Sequence, residues 1–227
     1  VKFISAKNIT GDAENGYRVL CDNDEEFVGK TVIIATGASP RKLEIEGARE
    51  FMGRGVSYCA TCDGFFYSGK NVVVLGGGNS ALNDALYLAD LAKNVKIVYR
   101  KSAFTRAEAV LRERVEARDN IECLFNTDLA KIAAKPDSQD GELIITTTDG
   151  DQIVADGLFV AIGHEANTDY LTEDVKRDAL GRIAPDALPA GMYVAGDVHS
   201  ELKMQIATAV GTGCSAGMDA ILYLNKN

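Results

Sequence analysis

The chain has 227 residues, 46% of them apolar and 25% charged, the balance of an ordinary folded globule rather than of a disordered or collagen-like chain. Its 24 basic residues against 33 acidic ones leave a net charge of −9, which argues against nucleic acid or an anionic membrane as the main partner. No apolar run approaches the roughly 20 residues of a membrane span, and Val1-Lys-Phe-Ile-Ser-Ala-Lys7 lacks the parts of a secretory signal, so the expectation is a cytoplasmic protein with reduced thiols.

Taken in order, Gly16–Asp22 and Glu26–Ala35 read as two strands of a hairpin around the turn signal Asp22-Asn-Asp-Glu25. A loop-rich stretch runs to about Lys70. Asn71-Val-Val-Val-Leu75 is then wholly apolar after its first residue, the pattern of a strand buried on both faces of a parallel sheet. Gly76-Gly-Gly78 follows, then a helix over Asn79–Leu91 with an apolar face of Ala81, Leu82, Ala85, Leu86, Leu88 and Ala89, then the strand Val95–Tyr99: a βαβ unit. A charged helix is predicted over Arg106–Arg118 and a strand over Ile121–Phe125. A hairpin follows over Glu142–Val154, with a buried strand over Gly157–Gly163. A short strand over Met192–Asp197 and a helix rich in small residues over Gln205–Tyr223 complete the reading.

Gly76-x-Gly78-x-x-Ala81 sits directly after an apolar strand and opens a helix, the setting in which glycines and a helix N-terminus receive the pyrophosphate of a dinucleotide. Asn79 and Ser80 lie within that turn. A site for NAD commonly places an acid at the end of the second strand; here Arg100, Lys101 and Arg106 stand there instead, and cations suit a 2′-phosphate. NADPH is therefore favoured, with NADH still possible. The plainer reading of the three cations is a solvated helix edge, since acids and bases alternate just beyond.

Cys59-Ala-Thr-Cys62 is either a redox dithiol or half of a zinc site. Zinc needs two more ligands, and Cys21, Cys123, Cys214, His164 and His199 form no second pair, so the redox reading is preferred and no metal is expected. Asp63 beside the pair is placed to move a proton or, more plainly, to cap a turn. A disulfide takes hydride poorly from a nicotinamide, and a flavin is the usual intermediary. Thr36-Gly37, at the end of a strand, and Gly196-Asp197, before Gln205 and a small-residue helix, suit a flavin site.

Together these fragments resemble the low-molecular-weight thioredoxin reductases, FAD-dependent pyridine nucleotide-disulfide oxidoreductases. The resemblance runs through Ala35-Thr-Gly-Ala38, Gly55-Val-Ser-Tyr-Cys-Ala-Thr-Cys-Asp-Gly-Phe-Phe66, Gly76-Gly-Gly-Asn-Ser-Ala81, Phe159-Val-Ala-Ile-Gly-His164, Ala195-Gly-Asp-Val198 and Ala209-Val-Gly-Thr-Gly-Cys214. It implies an α/β fold in which a three-layer, Rossmann-like NAD(P)-binding domain (45–163) is inserted in a partial FAD-binding domain (1–44 and 164–227). It implies that Cys62 faces the flavin and Cys59 attacks a thioredoxin-like substrate. It further implies that Asp63 is the general acid, that Asp197, Gln205 and Ile206 line the flavin, that Ile162 and Gly163 join the cofactor site, and that the protein is a homodimer. Two departures stand out. The family's opening βαβ segment with its own Gly-rich loop is absent, so the chain is expected to hold FAD poorly. The family motif His-Arg-Arg-x-x-x-Arg reads Tyr99-Arg-Lys-Ser-Ala-Phe-Thr-Arg106, with Tyr for His, Lys for Arg and one extra residue. Two other readings stay open at this point: a flavoprotein serving a peroxidase partner, and a truncated nucleotide-binding module whose dithiol senses redox state.

Overall fold

The computed structural model describes residues 2–138, 141–173, 175–199 and 204–226. The chain divides into two compact units, one made of Val1–Ser39 with His164–Asn227, the other of Pro40–Gly163.

The first unit opens with an antiparallel sheet of β1 (Ala6–Asp12), β2 (Gly16–Cys21) and β3 (Glu26–Gly29). The β1–β2 turn is closed by Asp12, whose Oδ1 accepts from the N–H groups of Glu14 and Asn15. The single strand expected over Glu26–Ala35 is two strands. After β3 the chain breaks at Lys30 and Thr31, and β4 (Val32–Ile34) leaves the antiparallel sheet to pair in parallel with a strand near the other end of the sequence. β5 (Ala38–Pro40) then leads into the second unit.

There, β6 (Val56–Ser57) is followed by a single turn of helix, α1 (Ala60–Asp63), and then β7 (Asn71–Leu75), α2 (Asn79–Ala89), β8 (Asn94–Tyr99), α3 (Ala109–Glu116) and β9 (Ile121–Phe125). Next come β10 (Leu129–Ala134), β11 (Leu143–Thr147), β12 (Gln152–Ala155) and β13 (Gly157–Val160). A five-stranded parallel sheet has the order β6-β13-β7-β8-β9, and β10-β11-β12 form a separate antiparallel sheet. Successive side chains of a strand point to opposite faces. Val72 and Val74 therefore pack with Leu82, Leu86 and Val115 of α2 and α3, while Val73 and Leu75 pack with Ile132, Leu143 and Ile145 of the antiparallel sheet. The three layers explain why β7 is apolar from Val72 to Leu75. β10 escaped the sequence reading because Leu-Ala-Lys-Ile-Ala-Ala has little β propensity, although Asn126-Thr-Asp128 before it is a turn signal. α3 begins three residues later than Arg106, because residues 100–108 are held as a loop.

The chain returns to the first unit through β14 (His164–Ala166), β15 (Met192–Val194) and α4 (Ile206–Leu224). β15 is the partner of β4, with Tyr193 opposite Ile33 and Val194 opposite Ile34. The expected strand over Met192–Asp197 stops at Val194, because Gly196 turns at φ +73 into a 3₁₀ turn over Gly196–Val198.

Asp84, midway along α2, has its carboxyl pushed up to about 6 from an ordinary 3.8 by burial. The folded chain thus holds this proton more tightly than the unfolded one. The stability associated with it is present below the unfolded value and is lost as pH rises through about 6. Asp84→Asn should therefore stabilise the protein by about 1–2 kcal/mol at about pH 8, after allowance for partial exposure, and by about half as much at about pH 5. Urea unfolding at the two pH values checks this, and an equal effect at both would contradict it.

Candidate active site

The dithiol is built where β6 hands over to α1. Cys59 is in extended conformation, with φ −141 and ψ 97, and Ala60 beside it is anchored in the core at 2% exposure. That pins the first turn of the helix. Cys59 and Cys62 are joined in a disulfide with their Cα atoms 5.3 Å apart. Cys59 Sγ caps the helix, accepting from the N–H of Cys62 at 3.2 Å. A backbone N–H on a sulfur favours its thiolate. Asp63, next along, accepts a 2.6 Å hydrogen bond from the Ser57 hydroxyl, and Ser57 Oγ accepts from the Cys59 N–H at 3.1 Å. Ser57 is buried and ties the carboxylate to the Cys59 backbone. It lies inside a sequence block already singled out but received no role there, because a serine two residues before a cysteine carries no spacing signal of its own.

The other three thiols are of a different kind. Cys21 is buried, Cys214 is exposed, and burial pushes the Cys123 thiol up, with Glu116 and Glu122 adding to the shift. Directly after the dithiol, Phe65 and Phe66 are 75% and 72% exposed, an apolar pair at the surface.

The glycine-rich turn and the cavity beside it lie past the C-terminal ends of β7, β8 and β13. Gly76 has φ +146, and a Cβ there would meet the Ala161 carbonyl oxygen at 2.3 Å. Gly78 precedes α2 with no side chain capping the helix, which leaves the N–H groups of its first turn for a ligand. Ala81 is wholly buried behind the turn. A cavity of about 460 Å³ is lined by Gly76, Gly78, Asn79, Ser80, Arg100, Lys101, Arg106, Ile162 and Gly163, all expected from sequence. Arg41, Glu44, Tyr99 and Asp128 also line it and were not expected. Asp128 follows β9, so the rule that ligands bind beyond the carboxyl ends of parallel strands could have found it. Size, three cations and an open helix start fit a dinucleotide with a 2′-phosphate.

In the first unit, β4 and β15 run in parallel and end side by side, which places Thr36-Gly37 and Gly196-Asp197 beyond the same sheet edge. Thr36 Oγ1 donates to the Asn167 carbonyl oxygen at 2.7 Å, and Asn167 Nδ2 donates back to the Thr36 carbonyl at 2.9 Å. The Gly196 N–H donates to Thr212 Oγ1 of α4 at 3.0 Å, which brings the Asp197 turn against that helix. Gln205 is held in a capping box with Thr208, and Ile206 is 86% exposed. Gly37, at φ +67 with no atom near its missing Cβ, leaves room for a cofactor to approach the backbone. This is the position at which an α/β sheet holds a ligand, and the residues fit part of a flavin site.

A profile of the pyridine nucleotide-disulphide oxidoreductases matches residues 1–213. A thioredoxin reductase of Rickettsia conorii is 37% identical over 99% of this chain and 78% of its own length. One of Escherichia coli O157:H7 is 38% identical over 92% of this chain and 69% of its own. Among solved structures, Lactococcus lactis thioredoxin reductase in its FR conformation superposes with a TM-score of 0.79 at 30% identity, covering 100% of this chain and 76% of that one.

Proposed function

The chain belongs to the pyridine nucleotide-disulphide oxidoreductase family, and on that premise we propose that it works as a thioredoxin-disulfide reductase, with Cys59 as nucleophile toward the substrate disulfide. Members of this family use FAD and NADPH, and bound FAD supplies the exchange of two electrons between a nicotinamide and a disulfide.

In the reduced pair, the Cys59 thiolate attacks one sulfur of the substrate disulfide, forming a mixed disulfide and expelling a substrate thiolate. Cys62 Sγ then attacks Cys59 Sγ, closing the intramolecular disulfide and releasing the second substrate thiol. The two protons left by Cys59 and Cys62 end on the two substrate sulfurs, and Asp63, held by Ser57, passes them. The observation that carries this assignment is the Cys62 N–H on Cys59 Sγ. Incubation of reduced Cys62→Ser protein with oxidised thioredoxin should trap a mixed disulfide through Cys59, identified by mass after proteolysis. A trap through Cys62 in Cys59→Ser instead, with none in Cys62→Ser, would reverse the roles.

In this reading the first turn of α2 receives the pyrophosphate, Arg100, Lys101 and Arg106 receive the 2′-phosphate, and Ile162 and Gly163 line the same cavity. Thr36, Gly37, Gly196, Asp197, Gln205 and Ile206 belong to the flavin side. Arg100→Ala should weaken NADPH at least about tenfold and leave NADH nearly unchanged, since one charge-assisted contact is worth about 1.5–3 kcal/mol. Calorimetry with both nucleotides reads this directly, and equal loss would mean that Arg100 does not distinguish them.

A thioredoxin-like partner needs an apolar place to dock close to Cys59, and Phe65 with Phe66 supplies one. Phe65→Ala with Phe66→Ala should raise KM for a protein disulfide about tenfold and leave KM for a small aromatic disulfide unchanged. A homodimer and a cytoplasmic location complete the proposal. Among the described residues, no helix is long and apolar enough to cross a membrane.

A further inference from the structure

The segment between β8 and α3 carries three of the four cations that line the nucleotide cavity, Arg100, Lys101 and Arg106, yet it is a loop with no regular hydrogen-bond ladder. Its near end is tied by the Lys101 carbonyl, which accepts from the Asn126 N–H at 3.1 Å, and beyond that its position depends on side chains. Two of its residues are buried, Phe104 at 4% and Ala107 at 8% exposure, while Lys101 and Arg106 face outward. The Phe104 ring stacks on Tyr99 at 5.7 Å and meets the edge of Phe125 at 4.9 Å. Tyr99 in turn covers the Gly-rich turn, for a Cβ on Gly77 would touch its ring at 2.5 Å. At the far end of the loop, Asn79 and Glu108 are joined twice. Asn79 Oδ1 accepts from the Glu108 N–H at 2.8 Å, and Asn79 Nδ2 donates to Glu108 Oε1 at 2.9 Å. Asn79 is the first residue of α2, in the turn that would face the pyrophosphate.

The loop is thus fastened to the phosphate cradle twice, by an aromatic stack at its middle and by a paired hydrogen bond at its far end. From this, and resting on the nucleotide assignment above, we propose that Asn79 and Glu108 are positioning residues for nucleotide selectivity. They hold the cation loop at a fixed distance from the first turn of α2, so that pyrophosphate and 2′-phosphate are met together. The Asn79 side chain, on this account, serves the loop and not the ligand. A nucleotide lacking the 2′-phosphate needs only the first turn of α2 and is indifferent to the loop. Glu108 is an acid near an anion site, and its presence there is otherwise unfavourable to binding, which is a physical reason to look for a positioning role.

The test is the ratio of Kd values for NADH and NADPH, measured by calorimetry on the full chain, with thermal unfolding to verify that each variant is folded. Asn79→Ala removes both hydrogen bonds of the pair and Glu108→Ala only the one to its carboxylate, so both should lower the ratio within about three- to tenfold, Asn79→Ala the more, the range for one or two exposed hydrogen bonds. Glu108→Gln keeps an acceptor for Asn79 Nδ2 while removing the charge, and should retain the parent ratio while tightening both nucleotides alike. A general loss of structure would weaken both nucleotides and would not be rescued by Gln. An unchanged ratio in both alanine variants, or a fall in Glu108→Gln equal to that in Glu108→Ala, would overturn the proposal. A parent chain that binds NADH as tightly as NADPH would instead overturn the assignment on which it rests.

Discussion

Cys59→Ser should lower turnover of a protein disulfide by the FAD-loaded protein by more than about a thousandfold, because no other group can replace the attacking sulfur. Thiol titration should show the same residue from the other side. The parent chain has five cysteines. Mild oxidation of the reduced parent should remove two thiols, and oxidation of Cys59→Ser should remove none. The pair is singled out by physics as well as spacing. Cys59 has a backbone N–H on its sulfur, and the segment from Cys59 to Cys62 is a single helical turn, so disulfide formation orders little chain. Cys123 is held in its thiol form by burial and by two nearby acids, and Cys21 lies in the core. Oxidation that consumed Cys123 or Cys214 before the pair would sink this account, as would a Cys59→Ser protein that turned over near the parent rate.

The parts of this molecule that could be read from sequence are those in which one residue type answers one local need. β7 is legible because a strand covered on both faces must be apolar at every inward position, and Val72, Val73, Val74 and Leu75 are. The cradle is legible because Gly76 and Ala81 answer a close approach that larger side chains cannot. The hairpin β11–β12 is legible from Thr148-Asp-Gly-Asp151 between alternating residues. What could not be read depends on partners distant in sequence. β3 and β4 form one continuous run in sequence, and only the pairing of Val32 with Met192 reveals that they belong to different sheets. β10 has alanines where strands favour branched side chains, and it is a strand because Leu143–Thr147 lies beside it. Asn79 meets Glu108 across 29 positions, and no pattern in either segment announces it. Ser57 acquires its place from a carboxylate six residues on, a separation with no helical or strand meaning once a turn intervenes.

The three glycines of the cradle look equivalent in sequence, and the structure separates them. Gly76→Ala should cost about 3 kcal/mol or more, because the residue sits at φ +146 and its Cβ would lie 2.3 Å from the backbone carbonyl oxygen of Ala161, a clash that only a backbone shift can relieve. Nucleotide binding should fail with it, since the turn can no longer close. Gly78→Ala is a different experiment. The residue has φ −100, an ordinary backbone conformation, and no atom within 4 Å of where a Cβ would stand. Its effect on stability should be small, within about 1 kcal/mol, as for other Gly-to-Ala changes at a helix start. Its Cβ would project into the space before the first turn of α2, where a pyrophosphate must come close to the N–H groups. Gly78→Ala should therefore weaken NADPH and NADH together, each about tenfold or more, with the selectivity between them preserved. Unfolding curves and calorimetry with both nucleotides on the two variants read this, and the expected pattern is a stability loss confined to Gly76→Ala with an affinity loss in both. A Gly78→Ala chain that binds both nucleotides like the parent would show that the pyrophosphate does not approach the helix start, and the cations at Arg100, Lys101 and Arg106 would then need another ligand.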